Sequence, residues 1–165
     1  VQTFLPYQDY IKSASSLDNL RLNKQTVEVK QIYNALTNPQ AKGWKNHPAT
    51  IMWAGYEVSL IIYGWQMCRE WIERGFKTKL MNEFSDILVA HKASDVIHPP
   101  WLGDERVHSS HRMSLLSKKY DWYSQFNWPE TDTVLNWYVG NSWSDPAPYE
   151  YFWPVQKKEK EENGN

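Results

Sequence analysis

Ser16-Leu17-Asp18-Asn19-Leu20-Arg21-Leu22-Asn23-Lys24-Gln25-Thr26-Val27-Glu28-Val29, continuing to Thr37, reads as the first long helix of the chain. Ser16 is the expected cap and Asn38-Pro39 the stop, because a short oxygen-bearing side chain satisfies free amides at a helix start and proline cannot carry a helix onward. Leu22, Val29, Tyr33 and Leu36 recur at spacings of seven, four and three, so they share one face and mark it as buried. Rotated away from them, Asp18, Arg21, Gln25 and Glu28 recur at three, four and three, with Lys24 beside them. Such a stripe is either a solvated face supported by its mixed charges or an anion site. In the second case Arg21 forks onto a phosphate, Lys24 adds a point charge and Gln25 bonds a base edge or a sugar.

Outward from this helix the chain continues in helical text. A second helix is expected over residues 49–74, with Pro48 in its opening turn and Gly75 as its C-terminal cap. A third is expected over 78–92, with Leu80, Phe84, Ile87, Leu88 and His91 on one side. Ile97-His98-Pro99-Pro100-Trp101-Leu102-Gly103-Asp104 breaks the pattern as an ordered loop and feeds a fourth helix near residues 105–119. Past a further turn or two beyond Tyr120, the prolines and glycines from Pro129 to Pro154 mark an irregular, ring-rich wrap. No strand pattern is strong. The expected fold class is all-α: one compact helical bundle over residues 1–156, then a charged, disordered tail over 157–165.

The 165 residues leave room for one domain. With 18 Lys+Arg and 19 Asp+Glu the net charge is −1, so no global positive field draws the chain to a polyanion. By segment the balance is uneven. Residues 1–126 carry 15 basic and 12 acidic groups, whereas residues 127–156 carry four acids and no Lys or Arg. Ten Trp, ten Tyr and five Phe accompany a polar mean hydropathy of −0.69, so rings supply much of the burial. A single cysteine, Cys68, excludes an internal disulfide and fits a reducing compartment. The most apolar run, residues 49–68, carries Glu57 near its middle and reads as a core helix. A cytoplasmic protein with no membrane partner is expected.

Three further features could carry chemistry. A chain beginning at Val1 can present a free α-amine, a class of group that titrates near ~8 and can form a Schiff base with a sugar aldehyde; the alternative is an ordinary exposed end. His108-Ser109-Ser110-His111-Arg112 puts two histidines one turn apart. Two ligands fall short of the three or four that zinc takes, so no metal and no cofactor are expected. Phosphate or base recognition by these side chains competes with plain burial in a ring-rich core. Rings near basic groups, Trp101 among them, can stack a base, although most rings must be core.

Taken together, the opening Val1-Gln2-Thr3-Phe4-Leu5-Pro6-Tyr7, the Leu17 to Gln25 run, Asn46-His47-Pro48 with Trp53-Ala54-Gly55-Tyr56, Arg74-Gly75-Phe76, and Pro100 through Arg112 resemble the pyrimidine-dimer DNA glycosylase family of endonuclease V type, more closely its cellular relatives. The resemblance covers about residues 1–126 and the Trp153-Pro154 ending. It implies a compact helical domain in which an N-terminal amine attacks the sugar C1′ of a lesion, releases the base and cleaves the backbone by β-elimination. It also implies arginines on the first helix that hold phosphates and a glutamate there that moves protons. Val1 matches the amine and Arg21 a phosphate-binding arginine. Counted from the terminus, the glutamate's place falls at Leu22, and the nearest carboxylates on that helix are Asp18 and Glu28.

Two functions follow. One is a glycosylase/AP lyase acting on DNA through Val1, with Arg21, Lys24 and Arg112 on phosphates and His47, His108 or His111 in place of the acid/base. The other is a non-catalytic binder of a small nucleotide on the same scaffold, its rings stacking the base and the same cationic groups holding phosphate.

Overall fold

The computed structural model describes residues 1–141 and 145–155. The expected tail over 157–165 lies outside the described residues. Among the described residues the fold is all-helical, with no strand.

Helix α1, Tyr10–Ser16, was not legible as a separate element; Asp9 starts it by accepting the Lys12 amide at 2.8 Å. Ser16 therefore ends one helix instead of capping the next. Helix α2, Asn19–Thr37, follows after Leu17 and Asp18 turn extended, and it stops at Asn38. The expected second helix is two: α3, Pro48–Ile51, and α4, Glu57–Glu73. The break between them includes Gly55 at φ 88°, a left-handed conformation that glycine adopts without a Cβ penalty. Gly75, at φ 93°, closes α4 as expected. Its amide reaches the Ile72 carbonyl and that of Phe76 the Trp71 carbonyl, while the Trp71 and Phe76 rings stack at 4.1 Å.

Helix α5 is shorter than expected, Leu80–Val89, and leaves His91 outside it. Helix α6 spans Glu105–Lys118, capped by Asp104 through the Arg106 amide. Helix α7 covers Tyr120–Tyr123, and α8, Thr131–Gly140, replaces part of the expected irregular wrap. Two single 3₁₀ turns, Ala93–Asp95 and Ser124–Phe126, complete the set. No helix among the described residues is long and apolar enough to cross a membrane.

Helices α2, α4 and α5 pack around Gly64. A Cβ built there would lie 2.6 Å from Val29 Cγ1 and 2.9 Å from the Phe84 ring. Gly64→Ala should therefore cost about 1–3 kcal/mol by overpacking, and the ~1 kcal/mol that alanine gains in helix propensity is the smaller effect. A thermal melt of the variant checks this. An unchanged or raised Tm would mean that the two neighbours yield freely.

Between these helices runs the N-terminal segment. Gln2 to Pro6 are buried without helix or strand, and the amides of residues 2–5 and 7 find side chains instead of a neighbouring strand.

Candidate functional site

The segment delivers Val1 to a cleft of about 320 Å³ on the polar face of α2. Arg21, Lys24, Gln25 and Glu28 line its floor, Phe4 and Leu20 its edges, and Lys118, Tyr149 and Tyr151 its far wall. The stripe read from spacing is thus neither wholly solvated nor wholly packed: Gln25 is buried, Arg21 and Glu28 are half-buried, and Lys24 is exposed. Asp18 orients Arg21 through an ion pair at 3.3 Å and is itself locked by the Tyr123 hydroxyl.

Of the two nearest carboxylates on the helix, Asp18 and Glu28, it is Glu28 that lines the cleft. Its carboxylate accepts the Gln2 amide at 3.3 Å and the Gln25 side-chain amide at 3.2 Å. Burial pushes the Glu28 carboxyl above its ordinary 4.5; the Gln2 amide, the terminal ammonium, Gln25 and Lys24 pull it only part of the way back. Leu22, where counting from the terminus put the glutamate, is fully buried in the hydrophobic core. Position on the helix face decides what meets the terminus. Seven residues, two full turns, separate Arg21 from Glu28 and keep them on one side, whereas Leu22 turns about 100° away from Arg21.

Gln25 serves the protein as much as the cleft. Its Oε1 accepts the Phe4 amide at 2.9 Å and the Tyr63 hydroxyl at 2.8 Å, and Tyr63 also donates to the Phe4 carbonyl at 2.7 Å. The wall across from α2 was not legible as part of a site. Lys118 Nζ sits 5.3 Å from the Tyr149 ring centre. Burial alone would raise the Tyr149 phenol, but the Lys118 hydrogen bond and charge outweigh it and bring the phenol below its usual range. Tyr151 bonds Ser114 at 2.7 Å.

The remaining expected site residues lie elsewhere. Trp101 is buried, donates to the Met52 carbonyl at 2.8 Å and packs at right angles to Trp53. His47 starts α3 by accepting the Ala49 amide at 3.0 Å and stands between the rings of Trp44 and Trp153. His108 Nε2 accepts the Gly103 amide at 2.9 Å, which leaves its proton on Nδ1 for the Leu5 carbonyl at 2.8 Å. His111 Nδ1 accepts the Leu5 amide at 2.9 Å. Arg112 donates to the Pro6 carbonyl and forks onto Glu130 with Nε at 2.9 Å and Nη2 at 2.8 Å. Neither histidine offers a free nitrogen lone pair to a proton or a metal, the His111 Nε2–H is buried away from any phosphate, and the Arg112 fork is occupied. Burial is the physical reason that His108, His111 and Arg112 do not join Val1 in the cleft.

A larger hollow of about 670 Å³ near α8 mixes Lys118 and Lys119 with Asp121 and Asp145. The smaller cleft is the candidate because it alone of the two combines an amine, a perturbed carboxyl and an arginine.

Residues 1–83, just over half of the 165, match the family model described as pyrimidine dimer DNA glycosylase. The chain belongs to that family. No curated protein and no solved structure gave a match. The match to the pyrimidine dimer DNA glycosylase model includes the N-terminal segment and α2, hence Val1, Arg21, Lys24, Gln25 and Glu28. It stops short of α6 and of Tyr149 and Tyr151, so the far wall of the cleft lies outside the matched half.

His111 also makes the fold acid-sensitive. Burial, with His108 and Arg112 nearby, lowers its imidazole from 6.5 to about 3. The unfolded chain thus binds a proton that the folded chain refuses. Stability is complete above about pH 6.5 and declines toward pH 3, by at most ~1.4 kcal/mol per pH unit from this group. Denaturant titrations of His111→Asn and the parent at pH 7 and pH 5 check the sign: the parent should lose more stability on acidification than the variant.

Proposed function

We propose that the chain is a DNA glycosylase/AP lyase acting on a damaged or modified base, with the Val1 α-amine as nucleophile and Glu28 as the proton carrier. Membership in a family of DNA-glycosylase type supports DNA as the substrate. The observation that carries the finer reading is that Val1 and Glu28 line one cleft, with the amide of the next residue, Gln2, on the Glu28 carboxylate at 3.3 Å.

The neutral amine attacks C1′; the N–C1′ bond forms as the glycosidic bond breaks, and the base leaves with that electron pair and takes up a proton. Glu28 takes one proton from the attached nitrogen and returns it to O4′ as the nitrogen lone pair breaks the C1′–O4′ bond, which gives the protonated imine. Removal of a C2′ proton then expels the 3′ phosphate by β-elimination. A carboxyl raised by burial suits this work, because it holds and releases protons nearer neutral pH than an ordinary glutamate. Arg21 and Lys24 supply the phosphate contacts. With a net charge of −1, affinity must come from this local group and not from a global field.

The small-nucleotide reading draws on the near-neutral charge, the aromatic excess and the leucine at the glutamate's place; a carboxylate beside Val1 in the cleft supports the lyase reading against the last of these. Incubation with an abasic duplex and borohydride separates the two. The lyase reading expects a covalent protein–DNA adduct. Protein whose intact mass confirms Val1 as first residue, and which forms no adduct but melts higher with a particular nucleotide, would instead be a binder.

A further inference from the structure

The motif His108-Ser109-Ser110-His111-Arg112 has no place in the cleft, yet its polar side chains are buried at some cost. We infer that His108, His111 and Arg112 form a positioning clamp that sets the register of the N-terminal segment and thereby places the Val1 amine against Glu28. This rests on the lyase reading for its catalytic meaning, though not for its geometry.

Three consecutive polar groups of the segment are taken by one face of α6. The Leu5 amide goes to His111, the Leu5 carbonyl to His108 and the Pro6 carbonyl to Arg112, at 2.9, 2.8 and 2.9 Å. Pro6 has no amide to offer, so its carbonyl is its sole backbone handle, and Arg112 holds it. Glu130, bonded by the Ser109 hydroxyl and by Arg112 Nε and Nη2, keeps that guanidinium aimed.

Consecutive Cα atoms lie about 3.8 Å apart across a trans peptide. A slip of one residue at Leu5 would therefore shift Val1 by up to about that distance from its place in the cleft. Gln25 and Tyr63 hold the Phe4 amide and carbonyl at 2.9 and 2.7 Å, and the clamp carries that hold on through Leu5 and Pro6, whereas the Gln2 contact to Glu28 is long, at 3.3 Å. The clamp also needs the histidines neutral and in opposite tautomers, Nδ1–H for His108 and a bare Nδ1 for His111. His111 Nε2 is buried without a hydrogen-bond partner, its ring set at right angles to Phe4 and to Tyr151 of the cleft wall. The side chain is thus kept for what Nδ1 does.

The test compares His111→Leu, which deletes the acceptor, with His111→Asn, which retains one near Nδ1. Arg112→Met with Glu130→Gln serves as the second disruption if His111→Leu does not fold, folding being read by near-UV circular dichroism and melting. The first readout is single-turnover adduct formation with abasic DNA. Disruption should slow it ~10- to 100-fold at saturating DNA while the half-saturating DNA concentration moves less than about threefold, and His111→Asn should recover most of the rate.

The second readout needs no DNA: the rise in the Glu28 carboxyl titration, followed by NMR, when Val1 is acetylated and its charge removed. That rise should shrink in the disrupted variants and persist in His111→Asn. A folded, disrupted variant with the parental rise overturns the clamp. A parent that shows the rise but forms no adduct leaves the clamp standing and removes the lyase reading.

Discussion

Glu28→Gln should slow strand cleavage at an abasic site by about 100-fold or more, the usual range for loss of a general acid/base, in a protein that remains folded. Glutamine retains the shape and an oxygen for the Gln2 amide, whose bond to the carboxylate is 3.3 Å, so the segment should stay in place. Stability should change little or rise. The parent carboxyl is pushed upward by burial, and a neutral amide escapes that penalty. DNA affinity should hold or improve, since a negative charge leaves the cleft. Single-turnover cleavage, a binding titration and a melt on the same preparation check all three. A variant within threefold of the parent would return the proton-carrying role to another group. Asp18 is poorly placed for it, being tied to Tyr123 and Arg21.

The largest expected effect on stability comes from Glu130→Ala. Glu130 is 9% exposed and holds the Arg112 fork and the Ser109 hydroxyl. Burial alone would raise its carboxyl, but the hydrogen bonds from Arg112 and Ser109 outweigh burial and hold it below its usual 4.5. Truncation leaves the Arg112 charge buried, with only the exposed Glu105 carboxylate as a partner. Breaking such a pair costs about 3–5 kcal/mol, which for a domain of this size lowers Tm by roughly 10 °C or more. Glu130→Gln, which still accepts hydrogen bonds, should cost less. A Tm within 2 °C of the parent in Glu130→Ala would mean, on the same conversion, that the pair contributes little.

Local chemistry made part of this legible in advance. Helix α2 showed in its apolar spacing, and α6 in the step from the Pro99-Pro100 loop into Asp104 and a polar helix. Gly75 followed from the need for a left-handed residue after α4. Helix α1 escaped because Ile11, Lys12 and Ser15 give it no clean apolar stripe. The break at Gly55 hid inside an apolar run, and α8 hid among the prolines around it.

The cleft was half legible. Arg21, Lys24, Gln25 and Glu28 share a stripe, and helical periodicity is a local property. Counting from the terminus reaches Leu22, which is buried in the core, while Glu28, one of the two nearest carboxylates, comes to the cleft because it shares the helix face of Arg21. The His108 to Arg112 motif misled for a different reason. Its partners, Leu5 and Pro6, lie more than 100 residues away. No spacing rule shows that an unpaired extended segment will need those donors and acceptors. Lys118, Tyr149 and Tyr151 join the cleft by the same kind of long return.

The account turns on which amine reacts. Lys24 and Lys118 line the same cleft as Val1, and either could in principle form an imine. The decisive measurement is tandem mass spectrometry of the borohydride-trapped adduct with abasic DNA after protease and nuclease digestion. The account predicts the sugar remnant on the α-nitrogen of Val1, and no trapping when that nitrogen is acetylated. A remnant on Lys24 or Lys118, with trapping undiminished after acetylation of Val1, would contradict it.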